Sequence, residues 1–182
     1  IINMDDSKQS EFLNEPARMP QKICLGVKPG SDFTINKAGM GTPEGAKYGL
    51  TSAQRDEAVE RLMKLGVKEF GIHAFLASNT IGESYYPKLA EIIFSKIVEL
   101  HQKTGAKFVF ANLSGGVGVP YRPDQKKNDI FKIAQGVKEA YAATLTAAGI
   151  EGVKIFTELG RYMLAPYGGL LTRVIHFKHT YK

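Results

Sequence analysis

Short apolar runs of strand length recur at residues 22–27, 69–75, 107–113 and 153–158, and the segments between them carry helical spacing. Ile1-Ile2-Asn3-Met4 reads as the end of a fifth run. After Thr51 or Ser52 as a cap come Val59, Leu62 and Met63 on one face, with Gly66 where a helix would stop. Leu89, Ile92, Ile93, Ile97 and Leu100 form a second stripe, closed by Gly105. From Asn128 onward, Ile130, Ile133, Val137, Tyr141 and Leu145 form a third, closed by Gly149. Strands apolar on both faces and joined by helices long enough for a crossover are βαβ units of a parallel sheet. Periodicity leaves two α/β architectures open, a doubly wound sheet and a (β/α)8 TIM barrel. A closed eight-stranded barrel takes about 250 residues, so 182 residues predict either an open sheet or a partial barrel. The tail is different: Leu170, Leu171, Val174, Ile175 and Phe177 read as a strand with no helix after it, the expected start of a β-domain.

At 43% hydrophobic and 23% charged residues, the composition is that of a globular chain with one sizeable core. The net charge of +6 is spread out, and Lys126-Lys127, flanked by Asp124 and Asp129, is the one basic doublet. A nucleic-acid partner is therefore not expected. Uncharged stretches, such as Tyr162 to Thr172, fall well short of the roughly 20 apolar residues of a membrane span, so no membrane association is expected. Cys24, the single cysteine, has no partner for an internal disulfide, and its apolar surroundings favour a buried structural thiol over a nucleophile. A reducing cytoplasm is the expected compartment. His73, His101, His176 and His179 share no metal-ligand spacing, and no metal is expected.

In parallel α/β folds the chemistry gathers at the C-terminal ends of the strands. The third run ends in Ser114-Gly115-Gly116-Val117-Gly118-Val119-Pro120-Tyr121, a glycine turn whose backbone suits a phosphate or simply a tight turn. It fits neither Gly-x-Gly-x-x-Gly nor a P-loop. The second run ends in Phe75-Leu76-Ala77-Ser78-Asn79-Thr80, where Ser78 can donate to a phosphate oxygen or cap a turn. The fourth ends in Thr157-Glu158-Leu159-Gly160-Arg161, an acceptor and a guanidinium around one point, or else a Glu158–Arg161 ion pair. Three groups suited to an anion converge if these strands are neighbours.

In this order the motifs resemble the fold-type III decarboxylases that use pyridoxal 5′-phosphate (PLP), and most closely the diaminopimelate decarboxylase family of lysine biosynthesis. The matching elements are Asn3-Met4-Asp5, Lys28-Pro29-Gly30, Lys47-Tyr48-Gly49, Phe75 to Asn79, Ser114 to Tyr121, and Glu158 to Arg161. The resemblance implies a partial barrel of the alanine racemase-like type over residues 1–168, about strands four to eight, with 169–182 beginning the C-terminal β-domain. It implies Glu158 as the catalytic acceptor of the pyridine N–H, which keeps the ring protonated as an electron sink when CO2 leaves. Cofactor contacts fall to Phe75, Ser78, Gly115, Gly116, Gly118, Glu158 and Gly160, with Ser78, Gly118 and Gly160 donating to the phosphate. Arg161 would bind a carboxylate of a small amino-acid substrate. Phe75 stands where the family stacks a His, Ser114 replaces the first Gly of the turn, and Leu159 replaces a Pro. The family's Schiff-base lysine and its C-terminal site residues match nothing here, so a middle piece, inactive alone, of an enzyme that is a homodimer at full length is expected. The alternatives are an ornithine, arginine or carboxynorspermidine decarboxylase, a PLP-binding carrier, or a phosphate-binding barrel enzyme without PLP in which Glu158 is the base.

Overall fold

The structure, a computed structural model, describes residues 1–14, 19–28 and 48–180. The motif positions Pro29, Gly30 and Lys47 lie outside the described residues, as do Tyr181 and Lys182. Five strands, β1 (Ile2–Met4), β2 (Lys22–Gly26), β3 (Glu69–His73), β4 (Phe108–Asn112) and β5 (Lys154–Phe156), form one parallel sheet in the order β1-β2-β3-β4-β5. That sequential order decides between the two architectures. A doubly wound sheet reverses its order at a switch point, whereas crossovers that always step to the next strand with one hand place every helix on the same side. The sheet is part of a (β/α) barrel.

Helices α1 (Gln9–Asn14), α2 (Ser52–Lys64), α3 (Tyr85–Thr104), α4 (Ile130–Tyr141) and α5 (Gly160–Leu164) complete the described elements, with a π-helical turn at Ala142–Thr146 and a 3-10 turn at Ala165–Tyr167. Thr51 caps α2 in a capping box with Gln54. Asp129 caps α4 by accepting the N–H groups of Phe131 and Lys132. Gly105, left-handed, ends α3.

Register assigns the two faces of the sheet. Ile23, Leu25, Phe70, Ile72, Phe108 and Ala111 share a single core with Leu62, Leu89, Ile93, Ile97 and Ile133 of the helices. The alternate positions, Asn3, Cys24, Gly71 and Phe110 in one row and Gly26, His73, Asn112 and Phe156 in the next, turn away from the helices. Arg55, 2% exposed, bonds its helix neighbour Asp56 and ties α2 to α3 through Glu99, both at 2.7 Å.

The strand expected from Leu170 to Phe177 is not formed among the described residues, where 169–180 contribute no strand to the sheet. A run rich in apolar and β-branched residues signals an extended chain, but a strand also needs an edge to bond. Here Leu171 and Ile175 are 99% and 93% exposed.

Candidate functional site

The ends of β3, β4 and β5 meet at Asn112. Its Oδ1 accepts the Ser114 N–H at 2.8 Å, which fixes the amide so that Nδ2 donates to Glu158 Oε1 at 2.7 Å. The Glu158 N–H in turn donates to the Ser114 carbonyl at 2.8 Å, and that oxygen also accepts the Tyr86 hydroxyl at 2.7 Å. His73, in register with Asn112, brings Nε2 to 4.0 Å from Glu158 Oε1. This nitrogen is buried with no hydrogen-bond partner, and so is Ser114 Oγ. Glu158 is more than half exposed and forms no ion pair with Arg161. Burial, with the negative charges of Asp5 and Glu158 added, pushes the Cys24 thiol up to about 12. Cys24 therefore stays a thiol at neutral pH and is no nucleophile.

The glycine turn locks onto the loop after β3. Thr80 donates its N–H to the Gly116 carbonyl at 2.7 Å and accepts the Gly118 N–H at 2.9 Å, an isolated parallel bridge. Asn79 Oδ1 accepts the Val119 N–H at 3.0 Å. Backbone packs on backbone here: a Cβ on Gly115 would lie 2.6 Å from the Glu158 carbonyl oxygen, and one on Gly116, which has φ +110°, 2.7 Å from that of Ala77. Only glycine allows the three strand ends this approach. Ser114 adopts φ 58° although it carries a side chain.

Glu158, Ser78, Gly115, Gly116, Gly118 and Gly160 gather at this end of the sheet, but their donors are not equivalent. The Gly118 N–H is committed to Thr80, and the Gly160 N–H to the Glu158 carbonyl at 3.0 Å. Neither is left for a phosphate in this conformation. The N–H groups of Gly115 and Gly116 have no partner among the described residues, and the Ser78 hydroxyl is exposed. Phe75 meets Tyr48 edge to face at 6.3 Å. Arg161 donates from Nη1 to the Tyr121 hydroxyl at 2.6 Å and lies 5.8 Å from that ring's centroid. Its other N–H groups touch no acceptor among the described residues. Asn112, Tyr86, Asn79 and Asn128 escaped the sequence reading. Asn112 closes a strand, Asn79 lies in the Phe75 to Asn79 element and Asn128 opens the third helical stripe, but their residue types do not announce these bonds, and nothing in the sequence marks Tyr86. No three His, Cys, Asp or Glu side chains among the described residues converge as a metal site, and no helix there is long and apolar enough to cross a membrane.

Residues 1–165 match the family profile of the pyridoxal-dependent decarboxylases, specifically their pyridoxal binding domain. This chain belongs to that family. The diaminopimelate decarboxylase of Methanothermobacter thermautotrophicus is 28% identical over 181 residues, covering 100% of this chain and 42% of the relative. That of Actinosynnema pretiosum is 27% identical, covering 97% and 40%. The chain thus spans about two fifths of the length of these curated relatives. Among solved structures, a diaminopimelate decarboxylase from M. jannaschii aligns with a TM-score of 0.77 at 22% identity, over 98% of this chain and 42% of its own. The arginine decarboxylase of Paramecium bursaria Chlorella virus aligns at 0.60 and 11%, over 86% and 39%. Both share the fold.

The strand ends of this pyridoxal-dependent decarboxylase chain fit the cofactor implied by the family. A phosphorylated pyridine needs an anionic acceptor for its ring N–H and neutral donors for its phosphate. Glu158, steadied by Asn112, is such an acceptor, and the glycine turn beside it has two uncommitted N–H groups and no side chain to fill the space.

Proposed function

We propose that this chain provides the cofactor-holding strands of a diaminopimelate decarboxylase, which converts meso-diaminopimelate to L-lysine and CO2. The observation that carries the reading is the meeting of Glu158, held by Asn112, with the Gly115–Gly116 turn at the ends of adjacent strands. When bound, PLP supplies the electron sink that CO2 loss requires. Glu158 would hold a proton on the ring nitrogen, because an adjacent negative charge favours the protonated ring. The Gly115 and Gly116 N–H groups, with the Ser78 hydroxyl, would take the phosphate, and Phe75 would offer an aromatic face to the ring. His73 places Nε2 4.0 Å from the carboxylate, on its own side of the sheet.

Arg161 bears on the substrate. With Nη1 on Tyr121, its remaining N–H groups are free to grip a carboxylate in bidentate fashion. Diaminopimelate retains one carboxylate after losing the other, and that group suits Arg161. Ornithine and arginine would bring a cation there instead, with like-charge repulsion. Two relatives also act on diaminopimelate by their names, whereas another is an L-glutamyl-[BtrI acyl-carrier protein] decarboxylase. The reading extends to residues 169–182 as the start of a C-terminal β-domain, to a homodimer, and to the cytoplasm. It is supported there by the exposed apolar tail, the resemblance and the buried thiol.

The test is turnover by a longer polypeptide that carries this sequence together with the Schiff-base lysine and C-terminal site residues the resemblance implies. With PLP it should release CO2 from meso-diaminopimelate and form lysine in preference to acting on ornithine or arginine. Arg161→Leu should raise KM for diaminopimelate more than it lowers kcat. Preference for ornithine or arginine would overturn the substrate assignment.

A further inference from the structure

Asn128 is 5% exposed, lies far from Glu158 in sequence, and satisfies its whole amide within two loops. Its Oδ1 accepts the Gly82 N–H at 2.7 Å, and its Nδ2 donates to the carbonyls of Thr80 at 2.9 Å and Gly118 at 3.0 Å. Those carbonyls flank the bridge that holds the β3 loop to the glycine turn: Thr80 O also receives the Gly118 N–H at 2.9 Å, and the Thr80 N–H binds Gly116 O at 2.7 Å. A buried amide with every bond made fixes a spacing that exposed loops would otherwise sample. The spacing fixed here is that between the loop carrying Ser78 and the turn carrying Gly115 and Gly116.

We propose that Asn128 is the positioning residue of the phosphate cradle: it holds the Ser78 loop and the glycine turn at the separation from which their donors grip one phosphate. The inference rests on the reading of this turn as the cofactor's phosphate site. Asn128 itself touches no ligand. It offers no donor to the phosphate, since both amide hydrogens are spent on Thr80 and Gly118. Its substitution should therefore loosen the grip on phosphate and leave the contacts to the ring, which lie with Glu158 and Phe75.

The experiment follows backbone amide shifts of the chain titrated with pyridoxine 5′-phosphate, with pyridoxine and with inorganic phosphate. The first two present the ring without an aldehyde that would react with lysines. In the wild-type chain, both phosphate-bearing ligands should move the Gly115 and Gly116 amides. Asn128→Ala should weaken both by about tenfold or more, equivalent to roughly 1.4 kcal/mol, with pyridoxine binding altered less than about twofold. Asn128→Asp keeps the acceptor for Gly82 and loses both donors; it decides the matter if the alanine variant does not fold, and it should show the same split. Asn128→Gln, which restores an amide, should recover part of the loss. If phosphate leaves the wild-type Gly115 and Gly116 amides unmoved, the cradle reading falls and this inference with it. If wild type responds and both variants bind phosphate as tightly, the inference alone is overturned. Equal weakening for pyridoxine and its phosphate would make Asn128 a merely structural residue and would also overturn it.

Discussion

Asn112 donates from Nδ2 to Glu158 Oε1 across 2.7 Å while its Oδ1 accepts the Ser114 N–H at 2.8 Å. One side chain thus steadies the carboxylate and begins the glycine turn. Asn112→Leu strands the Ser114 N–H and releases Glu158, so the free energy of unfolding should fall by about 2 kcal/mol in urea titration. Glu158→Gln keeps an oxygen for Asn112 and should stay within about 0.5 kcal/mol of wild type. Equal stability of wild type and Asn112→Leu would contradict the bond.

Ser114 combines a left-handed backbone, φ 58°, with a buried hydroxyl that has no partner. Each is unfavourable, the first by about 1 kcal/mol for a residue with a side chain. Ser114→Gly removes both, against the extra freedom glycine gains in the unfolded chain. The urea midpoint should rise by the equivalent of about 1 kcal/mol; a lower midpoint would show that the serine makes a compensating contact.

The network around Arg55 makes stability acid-sensitive. Burial pushes the Asp56 carboxyl up, but hydrogen bonds from Lys103 and Arg55 outweigh it and hold the group below its ordinary 3.8. Glu99 is likewise raised by burial yet held below 4.5 by Lys96 and Arg55. A carboxyl lowered on folding contributes stability that is present above its unfolded pKa and lost as pH falls through the folded one. Stability should therefore decline below about pH 4, and Asp56→Asn should lose stability at neutral pH while flattening that decline. An unchanged acid limb in the variant would contradict the assignment.

Cys24 should resist a thiol reagent in the native state at mildly alkaline pH, because its thiol is buried and pushed up to about 12. In concentrated guanidinium chloride the same thiol should react freely. Fast native labelling would show that the sheet face around it opens.

Local signals in the sequence were enough for the helix ends. The Thr51 cap and the Gly105 stop each act within one turn, so their residue types announce them. Glu158 and the glycine turn were legible for another reason: a parallel sheet brings successive strand ends together whatever the loops do. The bonds that tune the site were not legible. Asn112 to Glu158 and Asn128 to Thr80 join residues 46 and 48 positions apart, and such pairs depend on strand register and loop path, which no local pattern encodes. The commitment of the Gly118 N–H to Thr80 has the same origin. The tail shows the converse limit, since the apolar run at Leu170 to Phe177 says nothing of which edge it would join.

If Glu158 is the partner of the ring nitrogen, the protonation of that nitrogen reports it. The measurement is the 15N shift of pyridoxine 5′-phosphate labelled at that nitrogen and bound to the chain, at a pH above the free ligand's own ring titration. An adjacent carboxylate favours the protonated ring, so the bound nitrogen should keep the protonated shift in wild type and lose it in Glu158→Leu. An unprotonated shift on the wild-type chain, or a protonated one that survives in Glu158→Leu, would contradict the account.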